Sequence, residues 1–126
     1  MDARYWIVGA MFGGCRDQLD TFIKRGYWYC WDPHKARDNE IPEQTIALFK
    51  QIQRGDRLAV KKMLGRGSPS MEVRALGIVT DIDQDEWRIY VDWLVPNMSR
   101  LVPIRGCMGS IHGPFDGADR ADVFII

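Results

Sequence analysis

The chain predicts an α+β domain, a small and mostly antiparallel β-barrel with helices plugging or flanking it. Three observations carry that expectation. Strand-patterned runs outnumber helical ones. Strand and helix alternate only in the first half, which sets aside a doubly wound sheet. The middle holds two long β-patterned runs, "EVRALGIVTDI" and "WRIYVDWLV", separated by "DQDE", the pattern of an antiparallel hairpin.

The elements follow in order. A first strand is expected over residues 4–10, "RYWIVGA", rich in aromatic and β-branched side chains. Gly13 and Gly14 end it in "MFGGC", a loop whose backbone can come close to a neighbour or ligand. "DQLDTFIKR" spaces Leu19, Phe22 and Ile23 as a helix, with Asp17 as its cap or first-turn acid and Gly26 as its stop. "GYWYCW" is the second strand, and "DPHKARDNEI" a surface loop. Pro42 opens a second helix, "PEQTIALFKQI", with Ile46, Phe49 and Ile52 as its apolar stripe. "RGD" turns the chain into a third strand, "RLAVKKML", and "GRGSPS" forms the turn before the hairpin. Beyond Pro96, "RLVPIRG" and the closing "ADVFII" are expected as short strands around an irregular, Gly-rich "CMGSIHGPFDG".

Length and composition narrow the function classes. The 126 residues suit one domain spanning 1–126, with 46% hydrophobic and 27% charged residues, as in soluble globular chains. Formal net charge is zero, so attraction to nucleic acid has to come from a local patch. No run approaches the roughly 20 apolar residues of a membrane span. The start lacks the basic lead and cleavage site of a signal peptide. Cys15, Cys30 and Cys107 are an odd set without paired spacing, which predicts free thiols and a cytoplasmic setting.

Catalytic and metal patterns are weak. Ser110, His112 and Asp116 lie close in sequence, but a triad is defined by placement in space, and Gly109 and Gly113 mark a turn. Neither "GRGSPS" nor "GAMFGG" ends in the Lys-Ser/Thr of a phosphate-binding P-loop. Cys30, His34, Cys107 and His112 form a ligand set zinc accepts, at spacings that depart from a zinc knuckle; buried thiols and exposed histidines are the plainer reading. The expectation is a protein without catalytic residues, metal or cofactor.

Charge and aromatic residues are more informative. Arg54, Arg57, Lys61, Lys62, Arg66 and Arg74 stand against Asp56 and Glu72, while the following hairpin is acidic. One basic face could meet a phosphate backbone, or the same charges could protect strand edges. In "GYWYCW", strand alternation sends Tyr27, Tyr29 and Trp31 to one face and Trp28 and Cys30 to the other. In the hairpin, Trp87, Ile89, Val91 and Trp93 share a face opposite Arg88, Tyr90 and Asp92. Aromatic walls with a polar group suit an extruded base. By pattern alone a core is the plainer reading.

"YWIVGAMFGGCRDQLDTFIKRGYW", then "IQRGDRLAVKKM", "VRALGIVTDI" and "WRIYVDWL", resembles the EVE-like domains of the PUA-like superfamily. Such domains are found ahead of AAA+ GTPases in McrBC-like, modification-dependent restriction proteins. The resemblance covers most of residues 4–95. It implies a PUA-like barrel that reads a modified base, methylated or hydroxymethylated, flipped out of DNA in restriction or defence. Carried over, it nominates Met11, Phe12, Gly13, Trp28, Trp31, Asp92 and Trp93 for the base pocket, Asp92 accepting from a cytosine or adenine amino group. Lys61, Lys62 and Arg66 would contact phosphates. An AAA+ GTPase or nuclease would be partner or fused effector, with no membrane involved. RNA is the weaker target. A protein-interaction or small-molecule-binding regulatory module is the alternative.

Overall fold

The computed structural model of the protein describes residues 3–12, 16–30, 41–107, 109–116 and 118–125. Its frame is one seven-stranded sheet. Strand β1 (Tyr5–Gly9) runs parallel to β5 (Arg57–Met63), from Tyr5 opposite Arg57 to Gly9 opposite Lys61. Between them the chain passes through a small hairpin of β2 (Met11–Phe12) and β3 (Arg16–Asp17), helix α1 (Leu19–Arg25), β4 (Tyr27–Trp28) and helix α2 (Glu43–Phe49). A parallel pair needs a long crossover of this kind. The other ladders are antiparallel: β5 with β6 (Ser70–Asp83), β6 with β7 (Arg88–Val95), β7 with β4, β6 with β8 (Arg100–Pro103), and β1 with β9 (Ile111–Phe115). A short helix, α3 (Ala121–Phe124), follows.

The architecture is therefore α+β and mostly antiparallel, with strands predominating. The strand path runs β4-β7-β6-β5-β1-β9, and among the described residues no ladder joins its two ends. At the level of backbone pairing the sheet is open, where the sequence predicted a closed barrel. Strand β4, at one end of this path, is only two residues long, shorter than the strand expected over "GYWYCW".

Most elements fall where the pattern placed them. Leu19 and Phe22 are the buried residues of α1, its first turn takes Asp17 Oδ1 on Leu19 N–H at 3.0 Å, and Gly26 ends it in a left-handed cap at φ 73°. The tail differs. "ADVFII" was expected as strand, yet its first residues form α3, while β9 lies inside the segment expected to be irregular. Tertiary contacts explain both. Residues of β9 fill the free edge of β1, where Pro114 is tolerated because its missing donor costs no central ladder. Buried Arg120 donates to Pro103 O at 2.7 Å and Ile104 O at 3.2 Å, and Arg100 donates to Val123 O at 3.1 Å, so both ends of α3 are anchored by guanidinium groups.

Apolar side chains cover both faces of the central strands. Trp6, Val8, Phe22, Trp28, Phe49, Leu58, Ile89 and Val91 share one core with α1 and α2. Ile7, Ala59, Met71, Val73, Val102, Cys107 and Val123 form the other beneath α3 and β8. Adjacent residues of β1 thus enter different cores, as strand alternation requires. At Gly77 the sheet closes tightly: a Cβ there would stand 2.4 Å from Val91 Cγ1 and 2.9 Å from Asp92 O.

Candidate nucleic-acid interface

Trp28 lies on β4 opposite Ile89 of β7, with its whole side chain buried. Its indole N–H donates to Gly9 O at the end of β1, at 2.8 Å. The indole thus ties an end strand of the sheet path to the strand second from its other end. Immediately beside this tie, Gly9 N–H donates to Ser110 O at 3.0 Å, and the half-buried Cys30 is hydrogen-bonded to the side chain of Ser110. Three segments meet here: the chain leaving β1 toward Met11 and Phe12, the chain leaving β4, and the residues entering β9. Ala10 O accepts from Gln18 N–H at 2.8 Å, fixing the base of the small hairpin. We refer to this convergence as the mouth.

The predicted pocket residues divide. Met11 and Phe12 form β2, directly beyond Gly9. Gly13 and Trp31 lie outside the described residues. Trp28 has no face open to a base, so its expected role as a stacking wall gives way to one of positioning; it faces the core because its β4 neighbours pair with β7. Trp93 packs against the same core and donates to Phe22 O at 3.0 Å, which anchors α1. Asp92 alternates to the opposite, exposed face of β7. Asp92 and Trp93 therefore cannot line one wall together.

The remaining aromatic residues of "GYWYCW" form a layer with Arg88. Tyr27 and Tyr29 meet Phe22 edge-on at 6.0 and 5.1 Å, and Arg88 lies 3.7 Å above the Tyr29 ring and 5.1 Å from Tyr27. Among the described residues, buried Arg88 Nη1 has no hydrogen-bond partner, and the ring faces supply its attractive contact. Trp87, expected in the strand, instead sits in the hairpin turn at φ 55° and packs edge-on to Phe49 at 5.1 Å.

The basic run dissolves into separate roles. Arg54 pairs with Asp81 at 2.7 Å, linking the basic and acidic segments, and Arg74 meets Asp17 at 3.1 Å and Glu72 at 3.4 Å. Lys61, expected on a phosphate, is buried and donates to Cys107 O at 2.5 Å. Burial lowers its pKa, with the nearby Cys107 opposing. Lys62 is half-buried opposite Glu72. Arg66 is exposed on the turn between β5 and β6. There it shares an open groove of about 690 Å³ with Arg105, a residue the sequence reading passed over. Gly106 was the available signal, since glycine punctuates turns.

Among the described residues, the side chains of the suggested catalytic set are engaged separately. His112 Nε2 accepts from Gly109 N–H at 2.7 Å, while Asp116 Oδ1 caps the N–H groups of Ala118 and Asp119. Burial, reinforced by the charge of Lys61, lowers the His112 pKa. Burial also raises the Cys107 thiol pKa, opposed by Arg120 and Lys61. Among the described residues no cluster of three His, Cys, Asp or Glu side chains could hold a metal ion, and His34 lies outside them. No helix there is long and apolar enough to cross a membrane. No family model matches the chain, and no curated protein matches it.

Proposed function

We propose that the protein is a non-catalytic nucleic-acid recognition module that reads a modified base flipped out of DNA. The mouth carries this reading. The Trp28–Gly9 tie gathers the loop after β1, the end of the aromatic strand and the entry to β9 at one place. A flipped base needs a meeting of loops on a rigid base, with stacking surfaces and polar edges within reach. Met11, Phe12, Gly13 and Trp31 are the proposed walls: Met11 and Phe12 form β2, which follows β1, and Gly13 and Trp31 come after β2 and β4 in the sequence. Ser110 is the available polar side chain on the β9 side. The sheet would then be a PUA-like, EVE-like barrel whose last gap is spanned by side chains, with Trp28 as the principal strut. Its free thiols Cys30 and Cys107 support a reducing, cytoplasmic setting. A restriction or defence effector of AAA+ GTPase or nuclease type would act downstream.

Fluorescence anisotropy tests the reading. Labelled duplexes carrying unmodified, 5-methyl, 5-hydroxymethyl or N6-methyl bases are titrated at low and moderate salt. A preference for one modification is expected, lost in a folded Trp31→Ala protein and weakened in a folded Trp28→Phe protein, which lacks the tie to Gly9 O. Equal and negligible binding to every duplex at low salt overturns it.

A further inference from the structure

The backbone at Arg105 is out of the ordinary for its residue type. Arg105 has φ 48° and Gly106 φ 80°, and Cys107 N–H donates to Ile104 O at 3.1 Å. Two left-handed residues within a hydrogen-bonded four-residue turn make a type I′ turn, which favours Asn, Asp or Gly at both central positions. An arginine there carries a steric cost, and its side chain is exposed. Strained residues of this kind cluster where a ligand is held.

The turn is braced from beneath. Arg120 donates to Ile104 O at 3.2 Å, Lys61 donates to Cys107 O at 2.5 Å, and Ile104 N–H donates to Pro69 O at 2.9 Å. Two buried cations therefore grip the carbonyl groups at either end of the turn. Across the groove, Ser68 N–H closes onto Gly65 O at 3.2 Å and the resulting turn displays Arg66. Gly65, Gly67 and Gly106 face open space, so their bare backbone lines the groove without filling it. No acidic residue lines it among those described. Asp122, within electrostatic reach of Arg105, is already held by Arg120 through both carboxylate oxygens, at 3.1 and 3.0 Å. Gly9 of the mouth pairs with Lys61, and Met63 of the groove lies two residues further along β5, about 7 Å by strand rise.

We propose that this groove holds the phosphate backbone of a nucleic acid, with Arg105 and Arg66 as paired phosphate contacts beside the mouth. The proposal rests on the nucleic-acid reading above. It also gives Lys61 a role: a positioning residue that stiffens the turn bearing Arg105.

The variants Arg66→Ala, Arg105→Gly and their combination test it. Arg105→Gly removes the guanidinium and relieves the left-handed backbone, so its Tm is expected to rise while DNA affinity falls. A purely structural arginine would not separate the two. Affinity for labelled unmodified and modified duplexes is measured across a salt series. The slope of log K against log salt should become shallower by about one per arginine and about two in the double variant, alike for all duplexes. An unchanged slope in the double variant of a protein that binds DNA overturns the groove and leaves base reading standing. Loss of slope in a protein without base preference supports the groove and removes base reading. No binding by the wild type to duplex or single strand at low salt overturns both.

Discussion

Trp6 donates its indole N–H to Asp56 Oδ2 at 2.8 Å, joining the start of β1 to the turn before β5 within a fully packed core. The same oxygen accepts Gln53 N–H at 2.9 Å and stands 3.6 Å from the Arg4 guanidinium. One buried carboxylate therefore sets the register in which the two parallel strands meet. Removing it in Asp56→Ala leaves the buried Trp6 indole and the part-buried Gln53 amide without their acceptor, at an expected cost of about 2–4 kcal/mol. Asp56→Asn keeps an acceptor and should lose less. Urea unfolding of the three proteins measures the difference.

Trp28→Phe preserves the aromatic packing and deletes the donor to Gly9 O. A loss of about 1–2 kcal/mol is expected for one buried hydrogen bond. The more specific signature is local. The Gly9 amide, bound to Ser110 O beside the deleted contact, should exchange with deuterium faster in the variant, while amides in the middle of β6 exchange at rates set by global stability alone. Uniform acceleration would show that the indole contributes stability without organising the mouth.

Stability should decline in alkali because of Cys30. Burial raises its thiol pKa from 9.0 to about 11, a shift that the Ser110 hydrogen bond opposes. Since the folded pKa lies above the unfolded one, the thiol's contribution is complete below pH 9 and disappears as pH rises toward 11. The loss amounts to about 2–3 kcal/mol. Denaturation midpoints taken from pH 8 to 11 should fall less steeply in Cys30→Ala than in the wild type.

Gly77→Ala places a methyl group 2.4 Å from Val91 Cγ1 and 2.9 Å from Asp92 O, where two strands approach across a register shift. Neither a β-branched side chain in the core nor a backbone carbonyl can withdraw easily. Overpacking of this kind costs about 1–3 kcal/mol. Thermal unfolding followed by near-ultraviolet dichroism of Trp93, the ring 3.0 Å from that position, reports both the stability loss and the local displacement.

Local patterning determined what local physics controls. Helical spacing with Gly26 placed α1, Pro42 placed α2, and the two β-patterned runs around "DQDE" placed the β6–β7 hairpin. Alternation correctly separated Trp93 from Asp92, because side-chain period is a property of the strand itself. It did not apply to Tyr29, since β4 ends at Trp28 and Tyr27, Trp28 and Tyr29 all meet one core. What it could not assign was which face each partner would cover. Trp28 became a buried strut only because Gly9 O, nineteen residues earlier, arrives at its nitrogen. Lys61 left the surface because Cys107 O, far along the chain, meets its ammonium group, and Asp56 became a core hub through Trp6. The same holds for the ends of the chain's pattern: "IHGPF" is a strand because β1 offers an unpaired edge, and "ADVF" a helix because Arg120 and Arg100 are placed to hold it. Propensity and periodicity act over a few residues, whereas hydrogen-bond pairing and charge burial are settled by neighbours distant in sequence. For this protein the sequence by itself determined the strand-rich α+β inventory, and the tertiary structure alone decided which of its aromatic and basic side chains remain at the surface.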